Sequence, residues 1–222
     1  MESQKVKRKA GRPTEKQSVD LNQILRVALK YFAKDGFGGV SLSGLAKNVG
    51  VADSNLYHHF KNKETLWKHA LQLVGDEIIH DLDELARLIK DLDGIEQMKL
   101  FHKKIVFISA KHPEFQQIVV QEMFSKSDRS KWLIEELLSP IYGYVNTVQQ
   151  KEQAAGRIKT IPSANLTSFI IGSITTLFSR SYQMQAQYGV DPFAEEEVER
   201  HADIINDLLF HGMLSEQTKL DT

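Results

Sequence analysis

The side chains best suited to chemistry in this sequence lie in a short polar stretch, residues 53–59. Ser54, Asn55 and His58 can each donate and accept hydrogen bonds. These residue types read the edges of DNA bases when a helix places them in the major groove, and an asparagine can pair with adenine through two hydrogen bonds. No Gly-rich phosphate loop, nucleophile elbow or paired catalytic carboxylate stands out in the sequence. The residues therefore favour recognition over catalysis, and we expect no enzymatic activity.

The surrounding segment has the pattern of two short helices joined by a tight turn. Residues 42–63 read LSGLAKNVGVADSNLYHHFKNK. Helices that cross near a right angle need a small residue at their contact, here Ala46, and a turn residue that tolerates positive φ, here Gly50. The apolar residues that would lock the two inner faces are Leu45, Val49, Val51 and Leu56. The pattern predicts a helix-turn-helix whose second helix meets base edges while flanking groups hold phosphates.

The residues after the turn carry a more specific signature. Gly50-Val51 and the run LYHHFKNKETL at residues 56–66 resemble the TetR family of bacterial transcriptional regulators, whose recognition helix ends in Leu-Tyr-x-His-Phe-x-x-Lys-x-x-Leu. The resemblance extends back through Phe37-Gly38, Ser41 and Leu45-Ala46, and it covers about residues 17–68. The sequence departs from the family pattern at Ala52, where a Ser or Thr usually caps the recognition helix, although Asp53 could cap one residue later.

The resemblance implies contacts with the DNA backbone as well as with bases. It places Tyr57, His59 and Lys63 on phosphates, with Ser41 and Ser43 at the start of the preceding helix. The alternative role for each hydroxyl is helix capping. For Tyr57 and His59 the alternative is packing inside the three-helix unit.

Charge is distributed unevenly along the chain, although the net charge is only -1. Residues 1–68 hold 13 basic and 6 acidic side chains, whereas residues 69–222 hold 15 basic and 23 acidic ones. This asymmetry indicates a polyanion-binding N-terminal end joined to an acidic region with another task. Residues 1–16 form a basic arm ending in Gly-Arg-Pro, in which Arg12 could enter a narrow minor groove. The alternative is a solvated flexible tail.

The hydrophobic periodicity predicts an all-α fold. We expect a three-helix DNA-binding domain at residues 17–68, joined by a long helix at 63–91 to a C-terminal ligand-binding and dimerisation domain at residues 69–222. Gly36 should stop the first helix, and Pro140 should kink or split a helix in which it lies. The further predicted helices are 95–110, 113–126, 129–154, 163–188 and 194–214.

The acidic C-terminal region contains 13 of the 19 aromatic residues. In TetR-like proteins the middle helices enclose an inducer pocket, so the resemblance implies a small apolar or amphipathic effector. The candidate ligand contacts are Phe101, His102, Glu122, Tyr142 and Phe178. Most of the other aromatics should be core.

The resemblance also implies that the last two helices form a homodimer interface. Small residues that allow close helix packing lie beside apolar ones, and the candidates are Phe169, Gly172, Ser173, Thr176, Ile205, Leu208 and Leu209. A twofold dimer would present two recognition helices to successive major grooves, which predicts a palindromic operator in double-stranded DNA.

Other functional classes find little support. Without cysteine the chain has no disulfides, cysteine-ligated zinc or iron-sulfur clusters, and we expect no cofactor. Asp76, His80 and Glu84 share a helix face and could hold a metal ion, but solvated side chains are the simpler interpretation. Residues 160–179 are uncharged yet too polar to span a membrane, and the N-terminus has no secretory segment, so we expect no membrane partner and a cytoplasmic location.

Two functions remain open from the sequence. The first is a ligand-responsive, homodimeric DNA-binding regulator, most simply a repressor that its effector releases from the operator. The second is an all-α small-molecule carrier or interaction protein with a vestigial DNA-binding unit.

Overall fold

The computed structural model describes residues 20–213 and is helical throughout that range. The helices are α1 (Leu21–Gly39), α2 (Leu42–Val49), α3 (Asp53–Phe60), α4 (Lys63–Ile89), α5 (Gly94–Lys111), α6 (Pro113–Met123), α7 (Asp128–Leu133), α8 (Ser139–Ala154), α9 (Ser163–Ser179), α10 (Ser181–Tyr188) and α11 (Glu195–Met213), with a π-helical segment (Ile134–Leu138) between α7 and α8. The predicted all-α class, with an N-terminal helix-turn-helix unit joined by a long helix to further helices, is confirmed. The basic arm with Arg12 lies outside the described residues.

Helix α1 begins and bends where its sequence requires. The Asp20 carboxylate caps the first turn by accepting hydrogen bonds from the Asn22 and Gln23 backbone amides, at 3.0 and 3.3 Å. Gly36 has a φ of 69°, which breaks the helical geometry there. The predicted stop at Gly36 is thus a sharp bend, after which a short turn continues to Gly39.

Helix α4 connects the N-terminal unit to the rest of the protein. Asn62 caps it by accepting a hydrogen bond from the Thr65 amide at 2.8 Å, and the helix continues for 27 residues. At ~1.5 Å per residue it is about 40 Å long. A stripe of buried apolar residues along it includes Trp67, Val74 and Leu82. Helix α4 packs against α1 and α3 before it and against α5 and α8 after it.

Pro140 divides the predicted helix 129–154 as expected. The chain widens into the π-helical segment immediately before it, and the Ser139 amide bonds the Ile134 carbonyl, five residues back. Proline lacks an amide hydrogen and its ring clashes with the carbonyl four residues earlier, so a wider turn relieves the crowding. Helix α8 then starts with Pro140 in its first turn.

The prediction of one helix at 163–188 is wrong. Arg180, with φ of -110° and ψ of 28°, leaves helical geometry and separates α9 from α10. Helix α10 buries none of its residues, so no apolar stripe holds it in line with α9. The break between α9 and α10 therefore reflects the absence of packing around α10, and no proline or glycine in the sequence indicates it.

The apolar core is continuous from the N-terminal helices to the C-terminal ones. Phe32 and Trp67 at one end and Phe115 and Met98 further along all belong to one buried cluster. Helix α1 packs on α4 and also on α6, so the N-terminal unit contacts the following helices directly. No described helix is long and apolar enough to cross a membrane.

Candidate functional site

The predicted turn between α2 and α3 has the required geometry. Gly50 adopts the left-handed conformation, with φ of 72° and ψ of 27°, and ends α2. The Val51 amide donates a 3.0 Å hydrogen bond to the Ala46 carbonyl, and Ala46 and Leu56 are completely buried at the helix crossing. Because Leu56 and Phe60 turn inward, the other side of α3 faces solvent.

The exposed side of α3 carries the polar residues that the sequence singled out. The side chains of Ser54, Asn55, Tyr57, His58 and His59 are all exposed. Tyr57 keeps 49% of its surface accessible, and the His58 and His59 rings lie 5.3 Å apart. These five side chains share one short helix and are free to meet a partner.

The serines before and in α2 differ in their local roles. Ser41 caps α2, since its hydroxyl accepts a hydrogen bond from the Gly44 amide at 3.1 Å. A Cβ atom at Gly44 would lie 2.8 Å from that hydroxyl oxygen, which gives Gly44 a reason to be there despite its poor helix propensity. Ser43 is exposed and makes no hydrogen bond through its side chain to another described residue.

Helix α3 has no side-chain cap at its start and a residue with positive φ directly after its end. Ala52 occupies the N-cap with no side-chain bond, and Asp53 is the first helical residue and not the cap. At the other end Lys61 has a φ of 55°, and the Asn62 amide bonds the Phe60 carbonyl two residues back, which is a strained three-residue turn. This tight turn sets the angle at which α4 leaves the recognition helix.

Lys63 lies beside an aromatic contact between the N-terminal unit and the helices that follow. Its ammonium nitrogen is 4.5 Å from the centroid of the Phe37 ring, and the Arg129 guanidinium carbon is 3.9 Å from the same centroid. Two cations on one ring constitute a cation–π arrangement. Lys63 is half-buried in this arrangement.

Glu122, a candidate ligand contact, takes part in the same junction. Its carboxylate is 94% buried and accepts hydrogen bonds from Arg129 at 3.2 Å and from the Ser127 hydroxyl at 3.3 Å. The neighbouring Gln121 amide donates to the Ala33 carbonyl in α1 at 2.7 Å. Glu122 therefore fixes Arg129 over Phe37.

A large cavity lies between the end of α4, the start of α5 and α8. It has a volume of about 600 Å³ and is open to solvent. Phe101, another candidate ligand contact, lines it, whereas Tyr142 lines two much smaller cavities on the opposite face of α8. The lining residues of the large cavity are Ala86, Lys90, Gly94, Gln97, Phe101, Pro140, Gly143, Tyr144, Thr147, Val148 and Lys151.

His102 and Phe178 pack in the core away from these cavities. His102 is fully buried beside Phe210 of α11, with ring centroids 5.7 Å apart, and burial lowers the pKa of His102 to about 4. Neither imidazole nitrogen has a hydrogen bond of normal geometry to a described residue, although the nearby Asn206 side chain opposes part of the decrease in pKa. Phe178 contacts Phe193 and His201, with ring centroids 5.8 and 5.7 Å away.

The candidate dimer residues fall into two groups. Phe169 on α9 and Leu208 on α11 are 64% and 67% exposed, and Gly172, Ser173 and Thr176 lie along the same side of α9 with the hydroxyls of the latter two bonded to carbonyls of their own helix. Ile205 and Leu209 are instead buried within the protomer. Phe169 and Leu208 thus leave exposed apolar surface on α9 and α11 that no described residue covers.

Comparisons with known proteins agree with this architecture. Residues 24–70 match the family model described as bacterial regulatory proteins, tetR family. The nucleoid occlusion factor SlmA of Klebsiella pneumoniae is 23% identical over 180 residues, which cover 78% of this chain and 90% of that protein.

Solved structures show the same fold. FadR from Bacillus subtilis, in complex with stearoyl-CoA, is 20% identical, covers 86% of this chain and 97% of its own, and superposes with a TM-score of 0.65. AibR, in complex with isovaleryl coenzyme A and operator DNA, is 16% identical, covers 86% and 97% of the two chains, and has a TM-score of 0.65. At these identities the likeness shows the fold alone.

The helix-turn-helix, its exposed polar helix and the helical body behind it form the architecture that these solved structures share. Residues 24–70 carry the N-terminal domain of the tetR family of bacterial regulatory proteins, and the resemblance seen in the sequence is confirmed.

Two features of the site had no signal in the sequence. Arg129 and Phe37 are 92 positions apart, and nothing in either segment indicates that they stack. Nothing in the sequence distinguishes Lys90 and Lys151 from other exposed lysines, but α4 and α8 bring them to one cavity.

Among the described residues no group of three or more His, Asp or Glu side chains is placed to hold a metal ion. Asp76, one of the three residues considered for such a site, accepts a hydrogen bond from Gln72.

Proposed function

We propose that this protein is a homodimeric repressor that binds a palindromic operator and is released from it by a small amphipathic effector. The observation that carries the proposal is the exposed α3 surface on a TetR-type domain, with five polar side chains facing outward. Its proposed place of action is the bacterial cytoplasm, where the operator is found.

The proposed base contacts come from the N-terminal part of α3. Ser54, Asn55 and His58 read base edges, with Asn55 directed to an adenine. Tyr57, His59 and Lys63 contact phosphates, as do Ser43 and, beyond its capping bond, Ser41. Arg12 extends the interface into the minor groove. Exposure of the α3 side chains and the excess of basic residues before residue 69 support these roles.

The proposed dimer forms through α9 and α11. Phe169 and Leu208 supply exposed apolar area, and Gly172 with its small neighbours lets a second helix approach closely. Burial of such residues is favourable at about 25 cal/mol per Å² of apolar surface. A twofold axis through this face would set the spacing between two copies of α3.

The proposed effector acts by shifting a conformational equilibrium. The dimer is proposed to exchange between a form whose two α3 helices fit the operator and a form in which their spacing does not fit. A ligand that binds the second form more tightly lowers operator affinity, and its affinity ratio for the two forms limits the size of the effect. The complexes of FadR with stearoyl-CoA and of AibR with isovaleryl coenzyme A support an acyl-bearing molecule as the ligand class. Helix α4 is the proposed mechanical link, since it begins beside α3 and ends beside the large cavity.

The test begins with selection of DNA bound by the full chain from a random pool, followed by binding isotherms at several salt concentrations. We expect an inverted repeat. Asn55→Ala should relax preference at one position by about 1–3 kcal/mol, and Tyr57→Phe should weaken binding to all sequences. Lys63→Gln should lower the slope of log K against log salt by about one, and Lys131→Gln, an exposed lysine on α7, serves as the matched control.

The outcome also separates the two functions left open by the sequence. If the pool yields no enriched sequence while the protein still binds a small molecule, the carrier hypothesis replaces the repressor. If DNA is enriched but Asn55→Ala and Lys63→Gln behave as the control does, the regulator stands and the contact assignment fails.

A further inference from the structure

The cavity between α4, α5 and α8 has the dimensions of a ligand site. Its volume of about 600 Å³ lies inside the range of roughly 300–1,000 Å³ typical of small-molecule pockets. Phe101 is 97% buried and forms part of its floor. Ala86, Pro140 and Val148 add further apolar surface, so an apolar group entering here would leave water.

The walls of the cavity are tied to one another. Tyr144 on α8 donates a hydrogen bond to Asp83 on α4. Burial and, to a smaller extent, this bond raise the pKa of Tyr144 to about 12, so the phenol keeps its proton. On the other side the Gly94 backbone approaches Glu152 so closely that a Cβ atom would lie 1.9 Å from the carboxylate. These contacts hold α4 and the start of α5 against α8, so the space is preformed.

Gly143 opens the space in the middle of α8. A Cβ atom at this position would meet no other atom within 4 Å, and its φ is not in the left-handed region. Glycine is therefore not required here by backbone geometry or by packing. A side chain at this position would project into the cavity without displacing the protein around it.

Two lysines give the cavity an electrostatic preference. Lys90 and Lys151 line it, and both are exposed, which places them where the cavity meets solvent. Within residues 20–213 neither ammonium group forms an ion pair.

Three carboxylates from the helices around the cavity are already engaged. Asp83 accepts the Tyr144 hydroxyl, Asp93 caps α5 by accepting from the Ile95 and Glu96 amides, and buried Glu152 pairs with Arg157. Two positive charges therefore stand at the rim of an apolar cavity in the part of the chain that is otherwise acidic.

We infer that this cavity binds an amphipathic anion, with its negatively charged head group beside Lys90 and Lys151 and its apolar part against Phe101. Carboxylate and phosphate head groups share the chemistry that lysine recognises. The inference deepens the proposed function, because it assigns the effector site and the charge of the effector.

The test measures direct binding to the full chain, without DNA, by titration calorimetry. The probes are dodecanoate and dodecyl phosphate, each below its micelle concentration, and the neutral dodecanol, below its solubility limit. Both anions should bind more tightly than dodecanol by roughly tenfold, because two partly exposed ion pairs add up to that order. The ratio of the two anions then tells which head group the site prefers.

Two variants and a control decide the location. Lys90→Gln with Lys151→Gln should weaken both anions roughly tenfold and leave dodecanol unchanged. Lys126→Gln with Lys131→Gln makes the same charge change in the α6–α7 loop and in α7, at residues that do not line the cavity, and should change neither. Gly143→Leu should abolish binding of all three probes while the unfolding temperature stays within a few degrees. If Gly143→Leu does not fold, the lysine pair decides alone.

Equal affinity for dodecanol and the anions would overturn the inference, as would anion binding that survives the lysine substitutions. The result is separable from that of the proposed function. If the anions bind here as expected but leave operator affinity unchanged, the site stands and effector release fails. If another molecule releases the operator while these anions do not bind, effector release stands and the assignment of this cavity to an anion fails.

Discussion

The guanidinium carbon of Arg129 lies 3.9 Å from the ring centroid of Phe37. Arg129 belongs to α7 and Phe37 to the last turn of α1, so the contact joins the DNA-binding unit to the helices behind it. The partly shielded guanidinium is held in place by buried Glu122 at 3.2 Å, and the Lys63 ammonium lies over the same ring. A shift of α6 or α7 would therefore reach the start of α4 through a direct packing contact.

We expect Arg129 and Phe37 to be energetically coupled. In a double-mutant cycle measured by chemical unfolding, Arg129→Ala and Phe37→Leu should show an interaction free energy of about 0.5–2 kcal/mol. Either substitution alone removes the partly desolvated cation–π contact, so the double variant loses no more of it than each single variant does. Lys131→Ala paired with Phe37→Leu should be additive, because Lys131 is exposed and pairs weakly with Glu135. Additivity in both cycles would mean that the stacking contributes nothing.

His102 should make the protein less stable in mild acid. The unfolded imidazole takes up a proton near pH 6.5, whereas burial lowers the pKa of folded His102 to about 4. Between pH 6.5 and pH 4 the unfolded state thus binds more protons than the folded state. The stabilisation present above pH 6.5 is therefore lost as the pH falls toward 4, and the free energy of unfolding decreases by about 3 kcal/mol at most.

The check is the free energy of unfolding measured from pH 7 to pH 4. His102→Leu should flatten part of this dependence and should cost little at pH 7, because neither ring nitrogen has a hydrogen bond of normal geometry to a described residue. Burial also lowers the pKa of His112, so some acid sensitivity will remain. His211→Leu, on an exposed residue, is the control, and an equal slope in both variants would contradict the prediction.

Gly44 and Ser41 should respond to substitution as a pair. Alanine in place of glycine inside a helix usually stabilises by about 1 kcal/mol. Here a Cβ at Gly44 would lie 2.8 Å from the Ser41 hydroxyl and would displace the cap, so Gly44→Ala should gain much less than that. In a Ser41→Ala background the full gain should return, as thermal unfolding would reveal; the same gain in both backgrounds would rule out the conflict.

Leu208→Glu should convert the proposed dimer to monomer at micromolar concentration. The charge would lie on the exposed apolar side of α11, where dimer formation would remove its hydration. Leu88→Glu is the matched control, since Leu88 is 76% exposed at the far end of α4. Sedimentation velocity distinguishes the two states, and a dimer that tolerates Leu208→Glu would exclude this face as the interface.

The sequence alone determined the elements whose causes are local. The helix-turn-helix follows from Ala46, Gly50 and four apolar residues within twelve positions, because turn geometry and helix period act over one or two turns. Helix α4 and the break before Pro140 follow from a long apolar stripe and a missing amide hydrogen, and both were predicted close to their observed bounds.

Tertiary structure alone decided where distant side chains meet. Glu122 and His102 have the polar types expected of ligand contacts, yet Glu122 is bound to Arg129 and His102 is enclosed between α5 and α11. Ile205 and Leu209 share the periodicity of Leu208 but face the protomer's own core. The helix period shows which residues share one face of a helix, but it does not show what that face packs against. The partners of these residues therefore depend on how the helices pack.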